Sequence, residues 1–226
     1  MVVSFSHNFI FIHVPKVAGA SISEALRIYI GDNRKNILKS LLAIMSRSNS
    51  YLRRKLYELK YLDDGHLTAN EIRNKVGFEK FEKIIKFAFV RNPWDWEVSH
   101  YHYIMNTQRH LKHNLVGRLN SFDEFVEYGM EKTSEKNIFK KMLCNPEGEL
   151  IVDYVGRFES LENDLKIICE KIGIESIKIF HKNKSNHKDY KSYYNNRTIE
   201  LVGTHHDEDI KMFGYNFGNE NLLPLL

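Results

Sequence analysis

Two short apolar runs, each broken at a proline and followed by helix-forming sequence, limit what this chain can become. The first, Phe9 to Ile12, stops before Pro15 and passes through Lys16 and the small residues Ala18, Gly19, Ala20 and Ser21 into ISEALRIYI. The second, Ile84 to Val90, ends at Arg91-Asn92-Pro93, where proline in a first turn opens a helix over Trp94 to Met105. Strand, tight turn and helix start, used twice and followed by further amphipathic segments, predict an α/β fold. Its parallel sheet is expected to be covered by helices on both faces, with ligands at the carboxyl ends of the strands.

The first turn has the chemistry of an anion cradle. Backbone N–H groups at the start of a helix, the positive end of the helix dipole and the charge of Lys16 all favour a phosphate. Small side chains let phosphate oxygens approach that backbone. In the familiar phosphate loop, G-x-x-x-x-G-K-[ST], the lysine follows the glycines, whereas here it precedes them. An ordinary ATPase or GTPase is therefore not implied. At the second turn, Arg91 stands at the strand end and Ser99 lies two turns into the helix, so a planar guanidinium fork and a hydroxyl can converge on a second phosphate. Two such sites imply a ligand with two separated phosphates.

The length of 226 residues suits a single domain spanning 1–226, and 42% hydrophobic, 27% charged and 12% aromatic residues describe a globular chain. A net charge of +4 is too weak to mark a nucleic-acid binder. It is unevenly spread. Arg34, Lys35, Lys39, Arg47, Arg53, Arg54, Lys55 and Lys60 face only Glu58 within their segment, and a second basic excess runs from Lys178 to Arg197. Both suggest an anionic ligand or an anionic membrane surface. The two cysteines, Cys144 and Cys169, form neither a disulfide framework nor a metal-site pattern. The opening MVVSFSHNFIFIHVPK lacks a basic leader and a long apolar run, so a soluble cytoplasmic protein is expected.

Along the chain, Lys39 to Leu62 reads as helical with Leu38, Leu41, Leu42 and Met45 as a buried stripe, and Asp63-Asp64-Gly65 as a turn. Thr68 and Glu71 form a capping-box pattern for a helix over Ala69 to Val76, placing His66 in the loop before it. Asn106 to Asn120 reads as a loop or lid. Ser121 caps a helix ending near Gly129, Asn145 to Gly148 is a turn, and LIVDYVGRF is a third strand candidate. Leu161 to Ile172 is an amphipathic helix ending at Gly173, and Arg197 to His205 and Asp209 to Phe213 are short helices. Arg157 and Glu159 read as a structural ion pair. Tyr190, Tyr193 and Tyr194 read as packing residues or as the lining of a sugar or adenine site. The run His205, His206, Asp207, Asp209 reads as a helix terminus rather than a metal site.

With these residues in place, the sequence resembles a sulfotransferase that uses 3′-phosphoadenosine 5′-phosphosulfate (PAPS) and modifies carbohydrates. HVPKVAGASI is similar to that family's 5′-phosphosulfate loop and VRNPWDWEVS to its 3′-phosphate motif. Similarity continues through GHLTANEIR, DYVGRFESLENDL and DIKMFGYNF. The resemblance implies a P-loop NTPase-like fold, PAPS as donor, the bisphosphate PAP as product, and no required metal. It implies that Lys16 contacts the 5′-phosphate and its bridging oxygen, with Ala18, Gly19, Ala20, Ser21 and Ile22 forming the cradle. Arg91 and Ser99 would hold the 3′-phosphate. His66 would be the base that takes the acceptor's proton, with His13, His100, His102 and Glu24 as competitors.

Two departures stand out. Val17 and Ala20 replace threonines common in such loops, leaving Ser21 and Ser23 as hydroxyls. Trp96 replaces a frequent arginine, and Lys184 or Arg197 is the expected compensating charge. The acceptor is expected to be a carbohydrate or glycolipid, an anionic one fitting the basic segment Arg34 to Lys60, with segments 34–62 and 106–120 as flap and lid on its side. A kinase of P-loop-like fold and a non-catalytic nucleotide-binding module are the alternatives.

Overall fold

The computed structural model describes residues 1–30, 66–132, 136–179, 188–218 and 225. Among them, four strands form one sheet in the order β1-β2-β3-β4: β1 (Val2–Ser4), β2 (Phe9–Phe11), β3 (Ile85–Val90) and β4 (Tyr154–Arg157). Strands β2, β3 and β4 run parallel, with Phe11 opposite Phe87 and Val90 opposite Arg157. Strand β1 pairs antiparallel to β2. The sheet is thus mixed rather than purely parallel. A three-residue antiparallel edge needs only the short turn at residues 5–8, which a search for alternating strands and helices passes over.

Phe9, Ile10, Phe11, Phe87, Ala88 and Phe89 are fully buried. Their rings meet across the strands, Phe9 on Phe87 at 5.9 Å and Phe11 on Phe87 at 5.3 Å between centroids. Gly156 in β4 is required by this packing, because a Cβ there would lie 2.4 Å from the Phe89 ring. Helices flank the sheet. Helix α1 (Gly19–Leu26) follows β2 and continues as a 3-10 turn through Ile30. Helices α2 (Ala69–Val76) and α3 (Phe78–Lys83) precede β3.

The capping box at α2 has both of its bonds, Glu71 N–H to Thr68 Oγ1 at 3.1 Å and Thr68 N–H to the Glu71 carboxylate at 2.8 Å. After β3 comes α4 (Pro93–Asn106), whose first N–H groups are capped by the Asn92 side chain. The span 106–120, expected as a loop or lid, contains a single helical turn, α5 (His113–Val116), seated by the buried Val116. Helix α6 (Phe122–Lys132) runs past Gly129, α7 (Ile138–Leu143) precedes the turn at Asn145 to Gly148, and α8 (Leu161–Ile172) ends at Gly173, whose φ is 72°. A 3-10 turn (Tyr190–Tyr193), α9 (Asn196–His205) and α10 (Asp207–Phe213) follow.

A second apolar cluster joins Trp94, Val98 and Ile104 of α4 to Phe122, Phe125 and Val126 of α6 and Val202 of α9. It anchors α4 on one side while β3 fixes its start, so the side chains of α4 have a rigid frame. No helix among the described residues is long and apolar enough to cross a membrane. The basic segment 34–60, the flap 34–62 and Lys184 lie outside the described residues.

Candidate functional site

Strands β2 and β3 are neighbours in parallel register, so the turns that follow them open side by side. Between them lies a cavity of about 730 Å³, lined on one side by Pro15, Lys16, Ala18, Gly19, Ala20 and Ser21, and on the other by Arg91, Asp95, Ser99 and Tyr103. His13, His66, Phe158, Lys188, Asp189 and Tyr190 complete the wall. Eight of the ten expected site residues therefore meet in one place. Ile22 does not: its side chain is fully buried in the core and its N–H already donates to the Ala18 carbonyl at 3.0 Å, so it has nothing to offer a ligand. Lys184, the tenth, cannot be placed.

The loop's backbone has the form expected of an anion cradle. Lys16 and Ala18 are both left-handed, at φ 62° and 60°, and neither is glycine. Each such residue costs roughly 1–2 kcal/mol and persists only where surrounding contacts hold it. Ala18 is the N-cap of α1 but has no side-chain oxygen, so no side chain of its own satisfies the N–H groups of the first turn. Gly19 is required sterically, since a Cβ there would lie 1.9 Å from the His13 ring. Val17 is fully buried in the core, so the side chain at this position turns away from the cavity, while Ala20 lines it. Ser21 is the loop hydroxyl that reaches the cavity wall; Ser23 does not line it.

Lys16 Nζ rests 4.0 Å above the Tyr103 ring. Burial pulls its ammonium down to about 8, with the neighbouring Arg91 charge acting in the same direction. Arg91 is 5% exposed and held three ways. Its Nε donates to the Asp95 carboxylate at 2.7 Å, its Nη1 donates to the Lys16 carbonyl at 3.2 Å, and its face lies 4.1 Å from the Phe158 ring centre. None of these contacts uses Nη2. Phe158 and Asp95 are site residues that sequence reading missed. A signal existed for Phe158: Val90 and Arg157 are register partners, so the residues that follow them, Arg91 and Phe158, emerge together.

His66 is exposed at the cavity, with its Nδ1 3.2 Å from the His13 carbonyl and its ring 4.7 Å from the His13 ring. A carbonyl can only accept, so Nδ1 carries a hydrogen, and in the neutral ring the lone pair is on Nε2. The competing bases fare differently. Burial pushes His13 down to about 3, a poor proton acceptor. His102 Nε2 pairs with the Tyr193 hydroxyl at 2.8 Å, His100 packs on Trp96 at 4.9 Å, and Glu24 pairs with Arg27 at 2.9 Å; none of the three lines the cavity.

Two other expectations change, and the departure at Trp96 finds a structural partner. Trp96 is 3% exposed and does not stand in for a cavity charge; its Nε1 donates to the Pro15 carbonyl at 2.9 Å. Arg197 is remote from the cavity and pairs with Glu127 at 3.2 Å, so it supplies no compensating charge. Arg157 and Glu159 are structural but not paired with each other. The Arg157 guanidinium donates to the Phe213 carbonyl at 2.7 Å, whereas Glu159 accepts from the Asn92 N–H at 2.6 Å and the Tyr215 hydroxyl at 3.1 Å. Of the three tyrosines, Tyr190 lines the cavity, while Tyr193 and Tyr194 pack on Phe122.

Behind α4, the expected helix terminus at His205 to Asp209 has a further task. His206 Nε2 bonds the buried Glu97 carboxylate at 3.0 Å, and its Nδ1 lies 3.6 Å from Asp209, an ion pair too long for a hydrogen bond. Burial opposes the charge on His206, but the two carboxylates outweigh it and raise the imidazole to about 9. Burial likewise opposes the charge on Glu97, yet His100 and His206 beside it bring it down to about 2. Asp209 in turn accepts from the first N–H groups of α7, Phe139 at 3.1 Å and Lys140 at 2.7 Å.

Comparison with known proteins identifies the family. An uncharacterized protein of Archaeoglobus fulgidus is 34% identical over 110 residues, which cover 46% of this chain and 79% of that protein. No solved structure matches the chain. The sequence model of the sulfotransferase family matches residues 1–216, which takes in both turns, His66, and the strands and helices that carry them. The chain belongs to the sulfotransferase family.

Proposed function

We propose that this protein moves a sulfuryl group from PAPS to a hydroxyl of a carbohydrate or glycolipid acceptor. The observation that carries the reading is the meeting of Lys16, the open first turn of α1, Arg91 and Ser99 on one cavity, with a correctly tautomerised His66 beside them. In this reading the 5′ end of the donor lies on the N–H groups of Gly19, Ala20 and Ser21, and the 3′-phosphate on Arg91 Nη2 and the Ser99 hydroxyl. Tyr103 and Tyr190 would offer ring faces and hydroxyls to the remaining parts of donor and acceptor.

Transfer then needs one bond made and one broken in line. The acceptor oxygen attacks sulfur as its proton passes to His66 Nε2, and the bond from sulfur to the bridging 5′-phosphate oxygen breaks. Negative charge grows on that departing oxygen, where Lys16 and the backbone N–H groups stabilise it. Lys16 must leave the Tyr103 ring to do so, which an incoming anion would favour over a contact worth about 1 kcal/mol.

Calorimetry with PAP, compared with ATP and magnesium, tests the donor class. Binding of PAP in preference to ATP is expected; preference for ATP with magnesium would turn the reading toward a kinase. Label from the sulfate of PAPS, followed into a panel of neutral and acidic glycans and glycolipids, then tests the acceptor. Incorporation into none of them, with PAP bound, would reduce the protein to a nucleotide-binding module.

A further inference from the structure

The loop that precedes α1 is held by the segment that follows β3. Two successive carbonyls of the loop receive side-chain donors from it, Pro15 from Trp96 Nε1 at 2.9 Å and Lys16 from Arg91 Nη1 at 3.2 Å. Both donors are almost wholly buried, so water does not compete for either bond. Between and beyond these carbonyls lie the two left-handed, non-glycine residues, Lys16 and Ala18, whose conformation aims the first turn of α1 at the cavity. Such a backbone relaxes unless something holds it. Trp96 is itself fixed from behind, by His100 at 4.9 Å and His206 at 6.1 Å between ring centres.

We propose that Trp96 is a positioning residue for the 5′ end of the donor. Although it belongs to the 3′-phosphate motif, it acts on the opposite anion site, and together with Arg91 it makes the two sites one coupled unit. Arg91 then has two tasks: Nη2 remains for the 3′-phosphate while Nη1 holds the cradle of the other end. The tryptophan that replaces a charge in this motif contributes an N–H where the loop needs one. The inference rests on the reading of the cavity as a site for a nucleotide with phosphates at both ends.

Affinities for three ligands separate the possibilities: PAP, adenosine 5′-monophosphate and adenosine 3′-monophosphate, each measured by calorimetry. Trp96→Phe keeps an aromatic side chain and removes the indole N–H. We expect it to weaken the 5′-monophosphate and PAP by about three- to tenfold, the worth of one buried hydrogen bond, and to leave the 3′-monophosphate within about twofold. General loosening of the fold would weaken both monophosphates alike, so equal losses, or no loss at the 5′ end, overturn the proposal.

Should Trp96→Phe fail to fold, Arg91→Lys supplies the second measurement. It keeps a cation for the 3′-phosphate but cannot reach both the Lys16 carbonyl and Asp95. Weaker binding of the 5′-monophosphate is expected, and a loss confined to the 3′ compound overturns the coupling. Wild-type protein that binds no PAP would remove the functional reading and the coupling together. Wild-type binding of PAP with a 5′ end indifferent to both substitutions removes the coupling alone.

Discussion

Helix α4 separates two groups of charges that the fold treats in opposite ways. On its cavity side, among the described residues, Lys16 has no carboxylate partner and lies over an aromatic ring; Arg91 pairs with Asp95 through Nε, and none of its contacts uses Nη2. On its interior side, His206 sits between Glu97 and Asp209, and Asp209 also caps α7. The interior charges neutralise one another without any ligand. The cavity charges are left short of counter-charge, and burial, with the neighbouring Arg91 charge, pulls Lys16 toward neutrality. Such a difference separates groups kept for binding from groups kept for the fold, and substitutions on the two sides should have separable costs.

His66→Ala provides the widest separation. Loss of the proton acceptor should slow sulfuryl transfer by about 10²- to 10⁴-fold, with PAP affinity and the unfolding midpoint unchanged. Retained transfer would move the base elsewhere.

On the interior side, His206→Leu should lower stability by about 3–5 kcal/mol in denaturant titrations, because Asp209 loses the cation beside it and Glu97 keeps only the more distant His100 at 3.9 Å among the described residues. Replacing Glu97 and His206 together with leucine should cost less than the single change; equal costs would mean that the pair contributes packing alone. The pair also fixes a pH window. His206 is raised to about 9, so its contribution is complete below its unfolded value near 6.5 and is lost as pH rises through 9. Glu97 is lowered to about 2, so its contribution is complete above about 4.5 and is lost as pH falls through 2. Stability from this pair should therefore be greatest between roughly pH 4.5 and 6.5.

The smallest effect belongs to Lys16. Its ammonium is present below about 8, so PAP affinity should fall by about tenfold as pH rises through that value, the worth of one charge-assisted hydrogen bond. Lys16→Arg, charged throughout, should flatten the profile; an unchanged profile would assign the titration to another group.

Local signals made much of this legible. The Thr68 and Glu71 capping box, proline at the first turn of α4 and the terminating Gly173 each set an element boundary by chemistry within a few residues. The two strand ends located the cavity because parallel neighbours open their turns on the same edge. What stayed hidden depends on direction. A sequence gives Trp96 as a departure from a charged pattern but not that its indole turns inward to a carbonyl 81 residues earlier. It gives Arg157 and Glu159 as neighbours of opposite sign but not that each finds a separate partner in Phe213 to Tyr215 or Asn92. Strand β1 escaped because three residues carry too little pattern to stand out.

Gly19 has a reach beyond the turn it serves. Its missing side chain lets the His13 imidazole lie against the start of α1, and the carbonyl of His13 is the group that orients His66. The bare α-carbon is thus the room in which the His13 ring sits. On the proposed function, even one methyl group there should disturb the spacing between the cradle and His66, a spacing that depends on an atom the protein does not have.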